Sequence, residues 1–182
     1  LYYRNRVNAG LHVINPEILA LSGIDAEVVG KNGGDGKPVK VDLDRQLLKP
    51  LAGTGKMFCY DSPEYVKDMG TPDRFHEAET DMLKGLVYAR NLKNKQKAIF
   101  LDRDGTINKL AGFVTNPEQF ELIQDVTDAI KLINKSGYLA IVVTNQPVIA
   151  RGDCTFEELQ TIHDKMETEL GKKGAFVDAI YV

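Results

Sequence analysis

Three short apolar runs, at residues 97–101, 138–143 and 176–182, are separated by two segments of helical periodicity. This alternation limits what the chain can fold into. Residues 125–136 place Val126, Ala129, Ile130 and Ile133 at helical spacing, and Gly137 follows as a stop. Thr155 and Glu158 form an S/T-x-x-E capping box, which predicts a helix with the inner face Leu159, Ile162, Met166 and Leu170, ended by Gly171. Strand, helix, strand, helix, strand predicts a parallel sheet with right-handed crossovers. The runs themselves read as buried strands.

The preceding residues are less regular. Residues 7–14 read as a strand, and Asn15-Pro16-Glu17 opens a short helix with proline in its first turn. Residues 31–38 are glycine-rich and read as a mobile turn. Residues 42–51 look helical, residues 58–60 and 65–66 look extended, and Thr71-Pro72-Asp73 starts a helix running to about Lys84. The polar, basic stretch 89–97 is read as a solvated linker, giving domains at 1–93 and 94–182.

Composition narrows the function classes. A chain of 182 residues with 43% hydrophobic and 27% charged residues suits a globular protein with its own core. Its net charge of -3 argues against binding nucleic acid mainly through charge. The apolar runs are too short to cross a membrane. Two distant cysteines, Cys59 and Cys154, suggest a reducing cytosol and no disulfide framework.

The chemistry concentrates at the end of the first run, in Phe100-Leu101-Asp102-Arg103-Asp104-Gly105-Thr106. Two carboxylates two residues apart at a strand end point to the same side. The carboxyl ends of parallel strands line the ligand crevice. Paired carboxylates repel unless a cation or a proton lies between them. Magnesium fits, since it takes one or two carboxylates together with a phosphate. Read blandly, the pair is an ordinary surface turn. The second run ends in Val143-Thr144-Asn145-Gln146, which puts a hydroxyl at the same end of a neighbouring strand. Leu51-Ala52-Gly53-Thr54-Gly55-Lys56-Met57 superficially suggests a phosphate loop. It lacks the first glycine and the metal-binding Ser or Thr, and is rejected. His163 reads as an ordinary boundary residue, Cys154 as a structural cysteine, and Lys165, Lys172 and Lys173 as solvated.

On these motifs the segment 97–182 resembles the haloacid dehalogenase superfamily. Asp102-Arg103-Asp104-Gly105-Thr106 matches that family's first motif and Thr144 its second. Together with Asn145-Gln146-Pro147-Val148-Ile149-Ala150-Arg151-Gly152, they look like the heptose 1,7-bisphosphate and histidinol-phosphate phosphatases. The resemblance implies an α/β fold, here an incomplete Rossmann-like parallel sheet. It implies that Asp102 is a nucleophile that becomes an aspartyl-phosphate, and that Asp104 protonates the leaving hydroxyl and later activates water. Asp104 would then need a proton held by a neighbour or brought by the substrate. Asp102 and the main-chain carbonyl of Asp104 would hold Mg2+, and Thr144 would orient the phosphoryl group. Gly105, Thr106, Gly112, Phe113, Asn145, Gln146 and Arg151 would lie at the substrate. Residues 109–113 differ from the Asp-His-Gly-Tyr stretch of many relatives. The family also needs a lysine and further aspartates after the third strand, and relatives carry a Zn2+ loop there. The expectation is therefore a fragment, weakly active or inactive alone.

Residues 7–19 and Tyr65-Val66-Lys67-Asp68-Met69-Gly70-Thr71-Pro72 resemble the later part of a sugar-nucleotidyltransferase. There the aspartate before Gly-Thr-Pro can bind the catalytic metal, which makes Asp68 a candidate, although a turn acid before a helix reads equally well. The two resemblances fit one order of reactions: a bisphosphorylated sugar loses one phosphate, and the sugar 1-phosphate is joined to a nucleotide. This favours heptose 1,7-bisphosphate as a small phosphorylated substrate in the cytoplasm, with histidinol phosphate as the rival. A non-catalytic phospho-accepting module is a third reading.

Overall fold

A computed structural model describes residues 1–21, 24, 30–31, 37, 40–110 and 112–182. The chain divides into two compact units, Asn8–Ser62 and Leu1–Val7 with Pro63–Val182. This is a division by packing, and a boundary between sequence families at 93/94 is a separate matter.

In the unit Asn8–Ser62, α1 (Glu17–Leu21) starts where Asn15 Oδ1 accepts the Glu17 N–H at 3.1 Å. The predicted helix at 42–51 is a π-helical segment, Leu43–Leu48, running into a single turn, α2 (Lys49–Leu51). Asp42 caps it reciprocally: its carboxylate accepts the Arg45 N–H, and its own N–H donates to Gln46 Oε1. Leu47 is buried. Residues 7–14 form no strand, and Leu11 and Val13 stand exposed. An extended segment is stabilised by its ladder, and no partner strand occurs here among the described residues. Most of the glycine-rich turn at 31–38 lies outside the described residues.

The other unit begins as expected. Thr71 caps α3 (Pro72–Leu83), with proline in the first turn, and a short α4 (Leu86–Ala89) follows. Residues 65–66, like residues 58–60 of the unit Asn8–Ser62, stay outside any strand. Then come β1 (Ala98–Leu101), a 3-10 turn at Pro117–Gln119, α5 (Val126–Lys135), β2 (Leu139–Val143), α6 (Pro147–Arg151), α7 (Phe156–Lys172) and β3 (Ala179–Tyr181). The three strands form one parallel sheet in the order β1-β2-β3, with Leu101 opposite Val142 and Val143 opposite Tyr181. The fold class is α/β, as the alternation predicts.

The core lies where β2 meets the helices. Ala140 and Val142 are fully buried, as are Ile130 of α5 and Ile162, Met166 and Leu170 of α7. The capping box at Thr155 and Glu158 is formed in both directions. Gly171 does not end α7, which continues to Lys172, and Gly174 takes the left-handed conformation instead. Gly137 closes α5 at φ 79°, where a Cβ would lie 2.8 Å from that of Ala89, so no other residue fits. The outer strands are less buried than their apolar sequences suggest. Ile99 and Phe100 of β1 and Tyr181 of β3 are exposed, and each of these strands is paired on one side only.

Residues 63–93 belong to this packing. Arg90 is buried, pairs with Asp178, and donates to the Tyr138 carbonyl at 3.0 Å. Asp178 in turn accepts the Ala140 N–H at 2.8 Å. At the N-terminus the main chain of Tyr3 exchanges hydrogen bonds with the Thr168 hydroxyl of α7, both at 3.0 Å. Lys165 is not solvated: it donates to the Pro117 carbonyl at 2.8 Å. Among the described residues no helix is long and apolar enough to cross a membrane.

Candidate active site

The sheet register brings the ends of β1 and β2 side by side, so the segments starting at Asp102 and Thr144 are neighbours. The first is a tight turn wound around one carbonyl. Arg103 O accepts the N–H groups of Thr106, Ile107 and Asn108, at 3.3, 2.8 and 3.1 Å. Gly105, at φ 80°, donates to the Asn108 carbonyl at 2.8 Å. The left-handed conformation there favours glycine.

The turn divides its three leading side chains. Asp102 is exposed, and its Oδ1 accepts the Arg103 N–H at 2.7 Å. Arg103 points the other way and is fully buried. Asp104 lies between, half-buried, with both carboxylate oxygens held by Arg103. Nε and Nη2 reach Oδ1 at 3.1 and 3.0 Å, and Nη2 reaches Oδ2 at 2.9 Å. A planar guanidinium suits this geometry, and a buried arginine requires such a partner. The countercharge beside Asp104 is therefore already in the protein.

The second segment supplies the other clamp. Gln146 is buried; its Nε2 donates to Asp104 Oδ2 at 2.8 Å and to Thr144 Oγ1 at 2.7 Å, while its Oε1 accepts from Arg103 at 2.9 Å. Thr144 is anchored by its N–H to the Tyr181 carbonyl at 3.0 Å. Because its oxygen accepts from Gln146, its own proton is left to donate elsewhere. Burial pushes the Asp104 pKa up, but the Gln146 amide, the Arg103 charge and the Asn108 amide outweigh it and hold the carboxyl below the ordinary value. Asp104 thus stands ready as a carboxylate.

The other expected substrate residues, Gly105, Thr106, Gly112, Phe113, Asn145 and Arg151, are all exposed. The Arg151 guanidinium sits 4.6 Å from the Phe113 ring centroid, which joins the loop after β1 to α6. Gln146 is buried instead, with its amide spent on Asp104 and Thr144. Asp68 stands elsewhere and is exposed; its carboxylate accepts the Gly70 N–H at 2.8 Å and pairs with Arg74. That is the arrangement of a turn acid before α3. Among the described residues no group of three or more His, Cys, Asp or Glu side chains could hold a metal. A surface groove along α3, lined by Asp73, His76, Glu77, Thr80, Asp81 and Lys84, shares no residue with this site.

The Asp102 carboxylate and the Asp104 carbonyl are both oxygen donors, a set that suits a hard divalent cation completed by a phosphate and water. Arg103 and Gln146 hold the Asp104 carboxylate in place, and Asp102 is the more exposed of the two acids.

The sequence gives Arg103 no role and reads His163 as an ordinary boundary residue, whereas both are buried. His163 of α7 is buried, with Nε2 3.4 Å from Arg103 Nη1. Burial first, then the Arg103 charge, pushes its pKa down to about 4, so the ring is neutral and accepts from the arginine. One signal is local: Arg103 stands between two acids just past β1, so a carboxylate is within reach of a guanidinium that burial would otherwise leave unpaired.

No protein-family model matches the chain. It is 45% identical over 84 residues to the D-glycero-beta-D-manno-heptose-1,7-bisphosphate 7-phosphatase of Salmonella typhi, covering 46% of this chain and 45% of that protein. The protein of the same name from Escherichia coli K12 is 44% identical over 84 residues, 46% and 44% of the two chains. That of Haemophilus influenzae is 40% identical over 85 residues, 47% and 46% of the two chains. A crystal structure of D,D-heptose 1.7-bisphosphate phosphatase from B. bronchiseptica, complexed with magnesium and phosphate, is 36% identical with a TM-score of 0.46, covering 47% of this chain and 49% of that one. The chain spans less than half the length of the curated relatives it matches. Over nearly half of its own length, the chain is similar to heptose-bisphosphate phosphatases.

Proposed function

We propose that residues 94–182 carry the nucleophile half of a phosphomonoesterase of the haloacid dehalogenase type, acting in the cytoplasm on a small phosphorylated sugar. The observation that carries this reading is Gln146, whose one amide ties Asp104 of the β1 turn to Thr144 at the end of β2. In this reading Asp102, exposed at the strand end, attacks phosphorus and becomes an aspartyl-phosphate. The Thr144 hydroxyl donates to a phosphoryl oxygen. Arg103 and Gln146 favour the Asp104 ion, so in this reading its proton comes from the substrate, whose phosphate carries a second ionisation near pH 6. It passes through Asp104 to the leaving alkoxide. Asp104 then accepts a proton from the water that releases phosphate. Asp102 and the Asp104 carbonyl would hold Mg2+, which offsets charge on the phosphoryl group when bound.

The substrate proposed is D-glycero-D-manno-heptose 1,7-bisphosphate, cleaved at the 7-phosphate. Its support is the printed names of the relatives and the match of both motifs. Arg151, stacked on Phe113, is suited to the second phosphate. Residues 1–93 are proposed as the later part of a sugar-nucleotidyltransferase, in which Asp68, here paired with Arg74, matches the metal-binding aspartate. This would make the parent bifunctional.

The test is phosphate release from heptose 1,7-bisphosphate and from histidinol phosphate with magnesium, by this chain and by the longest chain its reading frame encodes. Preferential release from the heptose, abolished in Asp102→Asn, is the expected result. Unchanged activity in Asp102→Asn would remove the nucleophile assignment, and preference for histidinol phosphate would replace the substrate.

A further inference from the structure

Arg103 is fully buried, and no step of the proposed reaction makes or breaks a bond at it. It is not needed to shape the turn, because the turn is wound on the Arg103 main-chain carbonyl. Its side chain does something separate. The guanidinium binds both oxygens of Asp104, and two other elements pin it: Gln146 after β2, at 2.9 Å, and His163 on α7, at 3.4 Å. Asp104 thereby loses its rotational freedom. A carboxylate on a free turn would sample several rotamers, and few of them face the phosphorus.

We propose that Arg103, held by His163 from α7, is a positioning residue that fixes the Asp104 carboxylate for the second step of the hydrolysis. This rests on the phosphatase reading above. In that step a water oxygen attacks the phosphorus of the aspartyl-phosphate. The bond from phosphorus to the Asp102 oxygen breaks, and its electron pair returns to the carboxylate. The water proton passes to Asp104, and inorganic phosphate leaves. The proton is accepted efficiently only if the carboxylate is already aimed at that water.

The experiment uses p-nitrophenyl phosphate, whose leaving group departs without a proton, so that the first step does not depend on Asp104. It is run with magnesium on the longest chain the reading frame encodes. In Arg103→Lys, which keeps the charge and loses the planar fork, the initial burst of p-nitrophenolate stays near one per site. The steady-state rate falls about 10²-fold, the size of a typical acid–base contribution, and the acid-quenched protein holds trapped aspartyl-phosphate. His163→Phe, which keeps the ring and loses the acceptor, shows the same pattern with a smaller loss. A purely structural role would lower burst and steady state together, and that result overturns the proposal. Should Arg103→Lys not fold, His163→Phe decides alone, and wild-type turnover in it overturns the proposal. If the unsubstituted protein forms no aspartyl-phosphate, the phosphatase reading falls and takes this inference with it. If it turns over and both variants match it, only the positioning role falls.

Discussion

Residues 8–62 and residues 97–182 both carry apolar runs of strand length, and only the second set includes a strand with fully buried residues, β2. Leu11 and Val13 stand in the open, whereas Ala140 and Val142 are sealed from water. Hydrophobicity does not separate the two. In 97–182 the runs recur three times, with amphipathic helices between them, so each strand has a parallel neighbour and β2 has one on both sides. In 8–62 the run at 7–14 has no second strand to pair with among the described residues. A strand is a property of a pair, and a lone apolar run specifies only half of one. The candidate site follows the same rule, since it exists only where two paired strands end together.

Four measurements test this contrast. The largest effect is expected at Met166, fully buried on the inner face of α7. Met166→Ala should cost about 2–5 kcal/mol in denaturant unfolding, and a loss no greater than that of a surface change would mean that α7 does not organise the core. Next is pH. His163, folded at about 4 against an ordinary 6.5, is neutral in the native state. The unfolded chain takes up a proton as pH falls below about 6.5, and the folded one does not until about 4. Stability from this group is therefore complete above 6.5 and declines down to about 4, by on the order of 3 kcal/mol. The stability difference between wild type and His163→Phe, followed from pH 7 to 4, should change in that window. A flat difference would mean that the imidazole is not buried. Third, Thr155→Ala removes the capping box of α7 and should cost about 1 kcal/mol, measured by thermal or urea unfolding. The smallest effect belongs to the other region. Val13→Ser should change stability by no more than about 0.5 kcal/mol; a core-sized loss would show that 8–62 hides a packed strand after all.

Much of the second region was legible because its signals are local. The apolar face Leu159, Ile162, Met166 and Leu170, the capping box, and the parallel order all follow from spacing along the chain. Asp102, Asp104 and Thr144 could be placed at strand ends for the same reason. Signals that depend on a distant partner failed. Lys165 looks like a surface lysine until Pro117 is brought against it. Arg90 sits in a polar, basic stretch that reads as linker, and its partner Asp178 is far along the chain. The boundary expected near residue 93 rests on composition, whereas the packing of residues 63–93 rests on contacts such as this one.

The sequence by itself determined where the sheet would run and which acids would stand at its edge, because period and capping are written in neighbouring residues. Only the tertiary structure decided what surrounds them. Gln146, Arg103 and Asn108 outweigh burial and hold the Asp104 carboxyl below its ordinary value, and His163, on a helix some sixty positions later, lies against Arg103. Electrostatic energy depends on distance and burial in space, and neither can be read from separation along the chain.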